Sequence, residues 1–519
     1  MPALTFPSAM RLLGQKNYQA VYDLAISALR QNEKDPLAFF FLGIIASDHG
    51  DPVKALELFA KASEHGPKSA RYNAYHAKAL MTLGHHAEAK VRAGVAANLK
   101  IDDAFVADMI GNVYSRVGEH NLALPLFKKA VKLNPNWAVF QFNLGASAQF
   151  VGDIRAAKQA YERALAIDPK FYRVWFALVS LETQTKDTHY LERLKSLFHA
   201  AGQDADAQSL LGHAIAKTLE DLGQHPESFD WLEKAKTLQR RKISYSPDET
   251  AKIFNSAKLT AKPPVSKPIA SQDKTPVFIV GLPRTGTTLF DRILSSHKDV
   301  MSAGEIDLFS AIVRQVIGEA HPYSPSLFDK TNALDLRDIG NIYRKKIREL
   351  SGDASYLIDK TPLNFFYAGL IHRALPEAKI ITIRRGAMDS CLSNYRQLFA
   401  LGDSRYHYAL DIEYMADYYH QFDALMRHWK KRLPEQSYTE THYEKLVQNQ
   451  EVETRRLLAF CGLDWDEACL RFHENAAPTD TASSVQVRQP LYAGAIGRWK
   501  KYGPKLDGLK TALGDLAEI

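Results

Sequence analysis

The length and composition of the sequence allow more than one domain and exclude several classes of protein. Its 519 residues include 46% hydrophobic residues, enough for sizeable cores, and only three cysteines without a C-x-x-C pair, so neither a disulfide framework nor a zinc site is expected. The formal net charge of +7 suits an anionic cosubstrate or an acidic partner, and since no RNA- or DNA-binding motif accompanies it, we expect no nucleic-acid partner.

The N-terminal segment does not resemble a targeting sequence. Residues 1–18 lack the basic segment followed by an apolar core that a signal peptide needs. No stretch of about 18 apolar residues, the length needed to span a membrane as a helix, occurs anywhere in the sequence. We therefore expect a cytoplasmic protein without a membrane span.

A 34-residue period runs from Asp35 to Pro169. The residues that recur on it are Gly50, Gly84, Gly118 and Gly152, then Ala55, Ala89, Ala123 and Ala157, and finally Pro67, Pro135 and Pro169. In each repeat the glycine is expected to form the turn between two helices, the alanine to allow close packing, and the proline to end the pair. This pattern resembles the tetratricopeptide repeat and predicts an α-solenoid.

The solenoid is predicted to extend over residues 1–255. A degenerate helix pair at 10–31 precedes the repeats, and further helices at 171–182 and 210–238, the latter turning at Gly223, follow them. A repeat pattern specifies the architecture and does not identify the ligand. The groove of the solenoid could therefore bind a peptide, a carrier or an acceptor substrate, or the module could serve as a dimerisation module or scaffold. Residues 256–274, rich in proline, serine and lysine, are predicted to be a linker before a second domain at 275–519.

The second domain opens with a strand, a glycine-bounded loop and a helix. The strand is predicted at Val277–Val280, and the helix begins near Gly286, where backbone N–H groups and the helix dipole favour an anion. The spacing is similar to the nucleoside-triphosphate loop G-x-x-x-x-G-K-[ST], but Thr287 stands at the lysine position and the positive charge comes earlier, at Arg284. A phosphorylated ligand is expected here, with less support for a triphosphate.

Three further segments place charged or polar groups next to predicted strands. Glu305 follows Gly304, and Lys360 stands at the end of a strand, where open α/β sheets bind ligands. Arg385 ends the strand that begins at Lys379, and Ser393 follows it by eight residues in the next helix. A guanidinium group and a hydroxyl so arranged suit a phosphate.

These segments, in this order, resemble the motifs of sulfotransferases, and specifically of tyrosylprotein sulfotransferases. The motifs are R-T-G-T-T-L at 284–289, G-E at 304–305, K-T-P at 360–362, R-x7-S from Arg385, Y-E-x-L-V at 443–447 and S-x-x-Q-V-x-x-P at 483–490. The resemblance implies an α/β, P-loop-like domain with a central parallel sheet. It also implies a reaction that transfers a sulfuryl group from 3′-phosphoadenosine 5′-phosphosulfate (PAPS) without a required metal.

The resemblance also implies a role for each matching residue. Glu305 would be the catalytic base, Lys360 would stabilise the transferring group, and Arg385 and Ser393 would hold the 3′-phosphate. The residues implied to bind the 5′-phosphosulfate are Arg284, Thr285, Gly286, Thr287 and Thr288. Further nucleotide contacts are implied for Tyr443 and, in a closing C-terminal loop, for Ser483, Gln486, Arg488 and Arg498.

The sequence departs from the family pattern at two places, and alternatives to the family function stay open. Ile306 replaces a second glutamate, and Gln397 stands where the family has an arginine, with Arg396 beside it as a candidate replacement. The acceptor could be protein tyrosine, a saccharide or a small molecule, reached through the repeat groove or directly. A P-loop kinase or NTPase, or a scaffold without catalytic activity, are the competing classes.

Overall fold

The computed structural model describes residues 3–264, 274–332, 334–400, 402, 404–475, 489–491 and 493–518. The chain forms two compact units, Met1–Glu182 and Thr183–Ile519. Within the described ranges, no helix combines the length and the apolar character needed to cross a membrane.

The first unit consists of antiparallel helix pairs, which confirms the predicted repeats. Short polar residues begin several of the helices; the carboxylate of Asp51, for example, accepts from the backbone N–H of Lys54. The repeated glycines lie between the paired helices, and the repeated alanines are at most 2% exposed. The helices are α1 (Phe6–Gly14), α2 (Tyr18–Gln31), α3 (Pro36–Asp48), α4 (Pro52–His65), α5 (Ala70–Thr82), α6 (His86–Ala97), α7 (Ala104–Arg116), α8 (His120–Leu133), α9 (Ala138–Val151), α10 (Ile154–Ile167) and α11 (Tyr172–Leu181).

The second unit begins with helices that the sequence analysis assigned to the solenoid. They are α12 (Leu191–Ala200), α13 (Ala205–Asp221), α14 (His225–Lys242) and α15 (Pro247–Lys258). Helices α13 and α14 flank Gly223, the predicted turn, yet they belong to the same compact unit as the sheet. Of the predicted linker, residues 256–258 end α15, and residues 265–273 lie outside the described residues.

A five-stranded parallel sheet forms the centre of the second unit, as predicted. Its strands are β1 (Thr275–Gly281), β2 (Val300–Ser302), β3 (Tyr356–Asp359), β4 (Lys379–Arg384) and β5 (Tyr438–His442), in the order β2-β3-β1-β4-β5. Val277 of β1 is in register with Ile358 of β3 and with Lys379 of β4. The central strands β1 and β4 are buried at every position after the first, as expected of a parallel sheet whose faces are covered by helices.

The remaining helices of the second unit connect the strands or follow β5. They are α16 (Thr287–Leu294), α17 (Leu308–Ile317), α18 (Pro325–Thr331), α19 (Arg337–Leu350), α20 (Ala368–Ala374), α21 (Ala387–Tyr395), α22 (Ile412–Arg432), α23 (Tyr443–Gln448), α24 (Gln450–Cys461) and α25 (Asp507–Leu513). Shorter 3₁₀ segments include Pro362–Tyr367, Ser404–Leu410 and Arg498–Leu506. Because all five strands run the same way, the segments that follow them emerge at one edge of the sheet.

Candidate active site

The loop between β1 and α16 is tightly built and contains unusual backbone conformations. Arg284 has φ of 66° and Gly286, at the helix start, has φ of 103°. A Cβ atom at position 281 would lie 2.4 Å from the carbonyl oxygen of Ile383, so only glycine fits between β1 and β4 there. A non-glycine residue in the left-handed region is uncommon and is often found at ligand sites. The loop thus has the form of an anion-binding turn that leads into a helix.

Arg385 joins this loop to two other segments. Its Nη1 donates to Ser393 Oγ and to the carbonyl oxygen of Arg284, both at 3.2 Å, and its Nη2 donates to the carbonyl oxygen of Ala495 at 2.5 Å. The side chain is only 8% exposed, and its Nε makes no hydrogen bond within the part of the chain that the structure describes. The structure therefore brings Arg385, Ser393 and the loop together.

Tyr443 lies between the loop and Arg385. A Cβ atom at position 286 would lie 2.8 Å from the Tyr443 ring, and the Arg385 guanidinium carbon is 5.2 Å from the centre of that ring. The next residue, Glu444, accepts a hydrogen bond from the backbone N–H of Gly386 at 3.0 Å. These contacts hold the start of α23 against the segments that follow β1 and β4.

Lys360 and Glu305 form an ion pair at the ends of β3 and β2. Lys360 Nζ donates to Glu305 Oε1 at 2.5 Å, and the backbone N–H of Lys360 donates to the carbonyl oxygen of Gly304 at 3.0 Å. The lysine side chain is 1% exposed, whereas the glutamate side chain is 43% exposed. The pair thus offers a buried cation and, next to it, a carboxylate that a substrate can reach.

Two buried carboxyl groups that the sequence analysis did not identify lie near this pair. Burial raises the pKa of Asp291, while the charge of Lys360 and a hydrogen bond from Ser302 oppose that rise. Asp291 Oδ1 has no hydrogen-bond partner among the described residues. Burial also raises the pKa of Asp359 to about 6, although Tyr343 donates to its Oδ2 at 3.1 Å. Neither aspartate belongs to a recognisable motif, so no local signal marks it.

Two further residues support the loop and the segment that contacts Arg385. Asp389 accepts from the backbone N–H groups of Gly497 at 2.6 Å and Trp499 at 3.0 Å, and it lies 3.9 Å from Arg385 Nη2. Asn394 Nδ2 donates to the carbonyl oxygen of Pro283 at 2.8 Å. Both lie in α21, on which Ser393 is also found. The helix therefore positions the loop between β1 and α16 as well as Ser393.

Of the four C-terminal residues predicted to contact the nucleotide, the structure describes Arg498. Arg498 Nη2 lies 2.5 Å from Glu220 Oε1 in α13, and Arg396 pairs with the other oxygen of the same carboxylate. Tyr502 donates to Glu220 at 3.0 Å. Both arginines therefore have a protein carboxylate as partner, and their nucleotide roles stay predictions. Ser483, Gln486 and Arg488 lie outside the described residues.

The second unit is thus an α/β domain in which a glycine-bounded loop, an arginine–serine pair and a lysine–glutamate pair follow the strands of a parallel sheet. Residues 276–467 match the model of the sulfotransferase family, and residues 107–136 and 138–171 match that of the tetratricopeptide repeat. The chain is therefore similar to the sulfotransferase family over residues 276–467 and to tetratricopeptide repeats over part of the first unit.

Similar proteins are found for both parts of the chain. An uncharacterized protein of Aquifex aeolicus is 28% identical over 361 residues, which is 68% of this chain and 47% of that protein. The chain thus spans about half the length of this relative. Protein-tyrosine sulfotransferase 1 of Danio rerio is 26% identical, over 44% of this chain and 67% of that protein. The sulfotransferase domain of the Synechococcus PCC 7002 olefin synthase matches 49% of this chain and 98% of that structure, at 20% identity and a TM-score of 0.35.

Proposed function

We propose that this protein is a sulfotransferase that transfers a sulfuryl group from PAPS to an acceptor hydroxyl. The observation that carries the proposal is the position of Arg385, whose guanidinium group contacts both Ser393 and the backbone of the phosphate loop at Arg284. One side chain thereby links the predicted 3′-phosphate group to the predicted 5′-phosphosulfate loop. PAPS has both anionic groups on one adenosine, whereas ATP has only the 5′ chain.

The residues at the site suit such a ligand. The loop and the start of α16 present backbone N–H groups, which bind phosphate-like anions at a helix N-terminus. Arg385 is buried and retains an Nε without a hydrogen-bond partner in the described residues, so it can donate to one more acceptor. A guanidinium group binds a phosphate dianion in a planar, directional manner.

We further propose that Glu305 and Lys360 perform the transfer. The reaction forms a bond between the acceptor oxygen and sulfur and breaks the bond between that sulfur and the 5′-phosphate oxygen. Glu305 would accept the hydroxyl proton, and Lys360 would offset the negative charge on the transferring group. Their ion pair supports these roles, because it holds a proton acceptor and a cation next to each other.

Tyrosine in a polypeptide is the acceptor that this similarity favours, because the relative from Danio rerio is named a protein-tyrosine sulfotransferase. The tetratricopeptide repeats would then hold the acceptor protein or another protein partner. A phenol with a pKa near 10 needs a base at neutral pH, which is consistent with Glu305.

Calorimetric titration with the product, 3′-phosphoadenosine 5′-phosphate (PAP), tests the nucleotide part of the proposal. We expect PAP to bind without Mg²⁺ and more tightly than ADP or ATP. Incubation with ³⁵S-labelled PAPS and a tyrosine-containing peptide then tests transfer. Preference for ATP with Mg²⁺ would instead support a kinase or NTPase and would refute the proposal.

A further inference from the structure

A cavity of about 470 Å³ lies in the second unit, beside the segments that contain Glu305 and Lys360. Asp307, two residues after Glu305, and Leu363, three residues after Lys360, both line it. The backbone N–H of Asp307 donates to Thr361 Oγ1 at 3.3 Å, so the two segments meet at the cavity wall. The volume is in the range of about 300–1,000 Å³ that is typical of small-molecule sites.

The residue at this junction has an unusual backbone conformation. Asp307 has φ of 45°, which is rare for a non-glycine residue and is usually maintained by its surroundings. Its Oδ1 accepts from Ser310 at 2.5 Å, and its Oδ2 lies 3.7 Å from Arg405 Nη1. The turn that follows Glu305 is therefore fixed in place and directs the chain along the cavity wall.

Aromatic rings from separate elements form much of the cavity lining. They are Tyr245, Tyr323, Phe366, Tyr408 and Tyr418. Tyr408 and Tyr418 stack with ring centres 3.8 Å apart, and Tyr323 and Phe366 lie 5.3 Å apart. Rings arranged in this way favour an aromatic ligand, which can stack on them or contact them edge to face.

Several polar groups of the lining are engaged with other parts of the protein, whereas the hydroxyl groups of Tyr245 and Tyr323 have no hydrogen-bond partner among the described residues. Arg405 pairs with Asp307 and also lies 5.7 Å from the centre of the Tyr323 ring. Thr250 Oγ1 donates to the carbonyl oxygen of Ser246 at 3.1 Å, and Arg314 Nη1 donates to that of Ala320 at 3.3 Å. A saccharide needs hydrogen-bond partners all around its ring, and because aromatic rings form much of the lining, the cavity suits an aromatic ring with one hydroxyl better.

One wall of the cavity comes from α15, which precedes the segment that matches the sulfotransferase family. Thr250 and Ile253 of this helix and Tyr245 before it line the cavity. Phe254 is fully buried and anchors the helix, with its ring centre 4.7 Å from that of Phe366 and 5.2 Å from that of Tyr418. The helix therefore forms a fixed boundary of the cavity.

We propose that this cavity is the acceptor site, that it takes a phenolic ring whose hydroxyl points towards Glu305 and Lys360, and that α15 determines its specificity. The proposal rests on the sulfotransferase function proposed above. A free phenol and a tyrosine side chain share the chemistry required, and the experiment below separates these two sources.

The test uses the full chain, the substitution Ile253→Trp, which fills the cavity, and Asn255→Trp, which adds the same bulk at an exposed position of the same helix. Calorimetry first measures the Kd of PAP for each protein. Each protein, with and without saturating PAP, is then titrated with 4-methylphenol, N-acetyl-tyrosinamide, 4-methylcyclohexanol and methyl glucoside.

We expect 4-methylphenol to bind about tenfold more tightly than 4-methylcyclohexanol or the glucoside. Ile253→Trp should weaken 4-methylphenol binding about tenfold or more and leave the Kd of PAP within about twofold, whereas Asn255→Trp should change neither value. Binding of N-acetyl-tyrosinamide as well would identify a tyrosine side chain as an accepted source, and binding of the free phenol alone would identify a small molecule. Ile253→Ala, which enlarges the cavity, should favour 2-naphthol over 4-methylphenol.

Unchanged phenol binding in Ile253→Trp, or tighter binding of the glucoside than of the phenol, would overturn the acceptor proposal. Failure of the unsubstituted protein to bind PAP would instead count against the sulfotransferase function. The titrations without PAP would still report whether the cavity binds a phenol.

Discussion

Replacement of Arg385 by lysine should remove most of the preference for a nucleotide with a 3′-phosphate. The substitution keeps the positive charge. However, the planar guanidinium group of arginine contacts Ser393, the Arg284 carbonyl and the Ala495 carbonyl at once, and a compact ammonium group cannot make all three contacts. Because the arginine side chain is 8% exposed, little water is available to replace the lost contacts.

The size of the effect follows from these contacts. A hydrogen bond to a charged group contributes about 1.5–3 kcal/mol, and the buried position of Arg385 supports the upper part of that range. One such bond to the 3′-phosphate corresponds to about a 10- to 150-fold change in Kd. Ser393→Ala, which removes a neutral hydroxyl, should have a smaller effect of about 0.5–1.5 kcal/mol.

The assay compares two ligands that differ only in the 3′-phosphate. Calorimetry gives the Kd of PAP and of adenosine 5′-monophosphate for each variant, and the ratio of the two constants isolates the 3′-phosphate contact from general effects on the site. Arg384→Lys is the matched control, because Arg384 pairs with Asp423 and Glu440 instead. If Arg385→Lys keeps the ratio of the unsubstituted protein, Arg385 does not bind the 3′-phosphate.

Three other substitutions test the remaining parts of the site and the fold. Glu305→Gln should lower single-turnover transfer about 10²- to 10⁴-fold and leave the Kd of PAP within about twofold, and retained turnover would exclude Glu305 as the base. Gly286→Ala should weaken PAP binding by about 1–2 kcal/mol, measured calorimetrically, because it forces a left-handed backbone on alanine and displaces the Tyr443 ring; unchanged affinity would contradict this packing. Burial lowers the pKa of Lys236 to about 7 from 10.5, so above pH 7 the unfolded chain binds more protons than the folded protein. The free energy of unfolding, measured by urea unfolding, should therefore rise by about 2–3 kcal/mol between pH 7 and 9. Lys236→Met should abolish that rise, and an identical pH profile would refute the assignment.

The repeats could be predicted from the sequence alone because of their 34-residue period, and the strand-ending motifs because of their resemblance to a family. Glycines and alanines at a 34-residue step indicated the helix pairs of the first unit, and the structure confirms them. The apolar strands, each followed by a charged or polar group, indicated the parallel sheet, which is also confirmed. The family resemblance named Arg385, Ser393 and the loop, and the structure brings these groups into contact.

The partners of each element were decided only by the tertiary structure. Helices α13 and α14 have the same helix, glycine and helix order as a repeat, but they belong to the unit that contains the sheet. Their residue Glu220 lies 176 positions before Arg396 in the chain and yet forms a hydrogen bond with it. A local pattern indicates that a helix has an apolar face and cannot indicate which surface covers it. For the same reason the sequence analysis did not identify Asp291 and Asp389, because their contacts depend on how distant segments pack together.

The cavity beside Glu305 also depends on tertiary packing that the local sequence does not indicate. The family resemblance predicted roles for Glu305 and Lys360, whereas the acceptor remained open between a tyrosine, a saccharide and a small molecule. The cavity is lined by α15, the turn at Asp307 and the segment around Arg405, and Asp307 lies 49 positions after the end of α15 and 98 positions before Arg405. Local sequence determined which groups stand at the ends of the strands, and only the packing of distant segments determined the space in front of them.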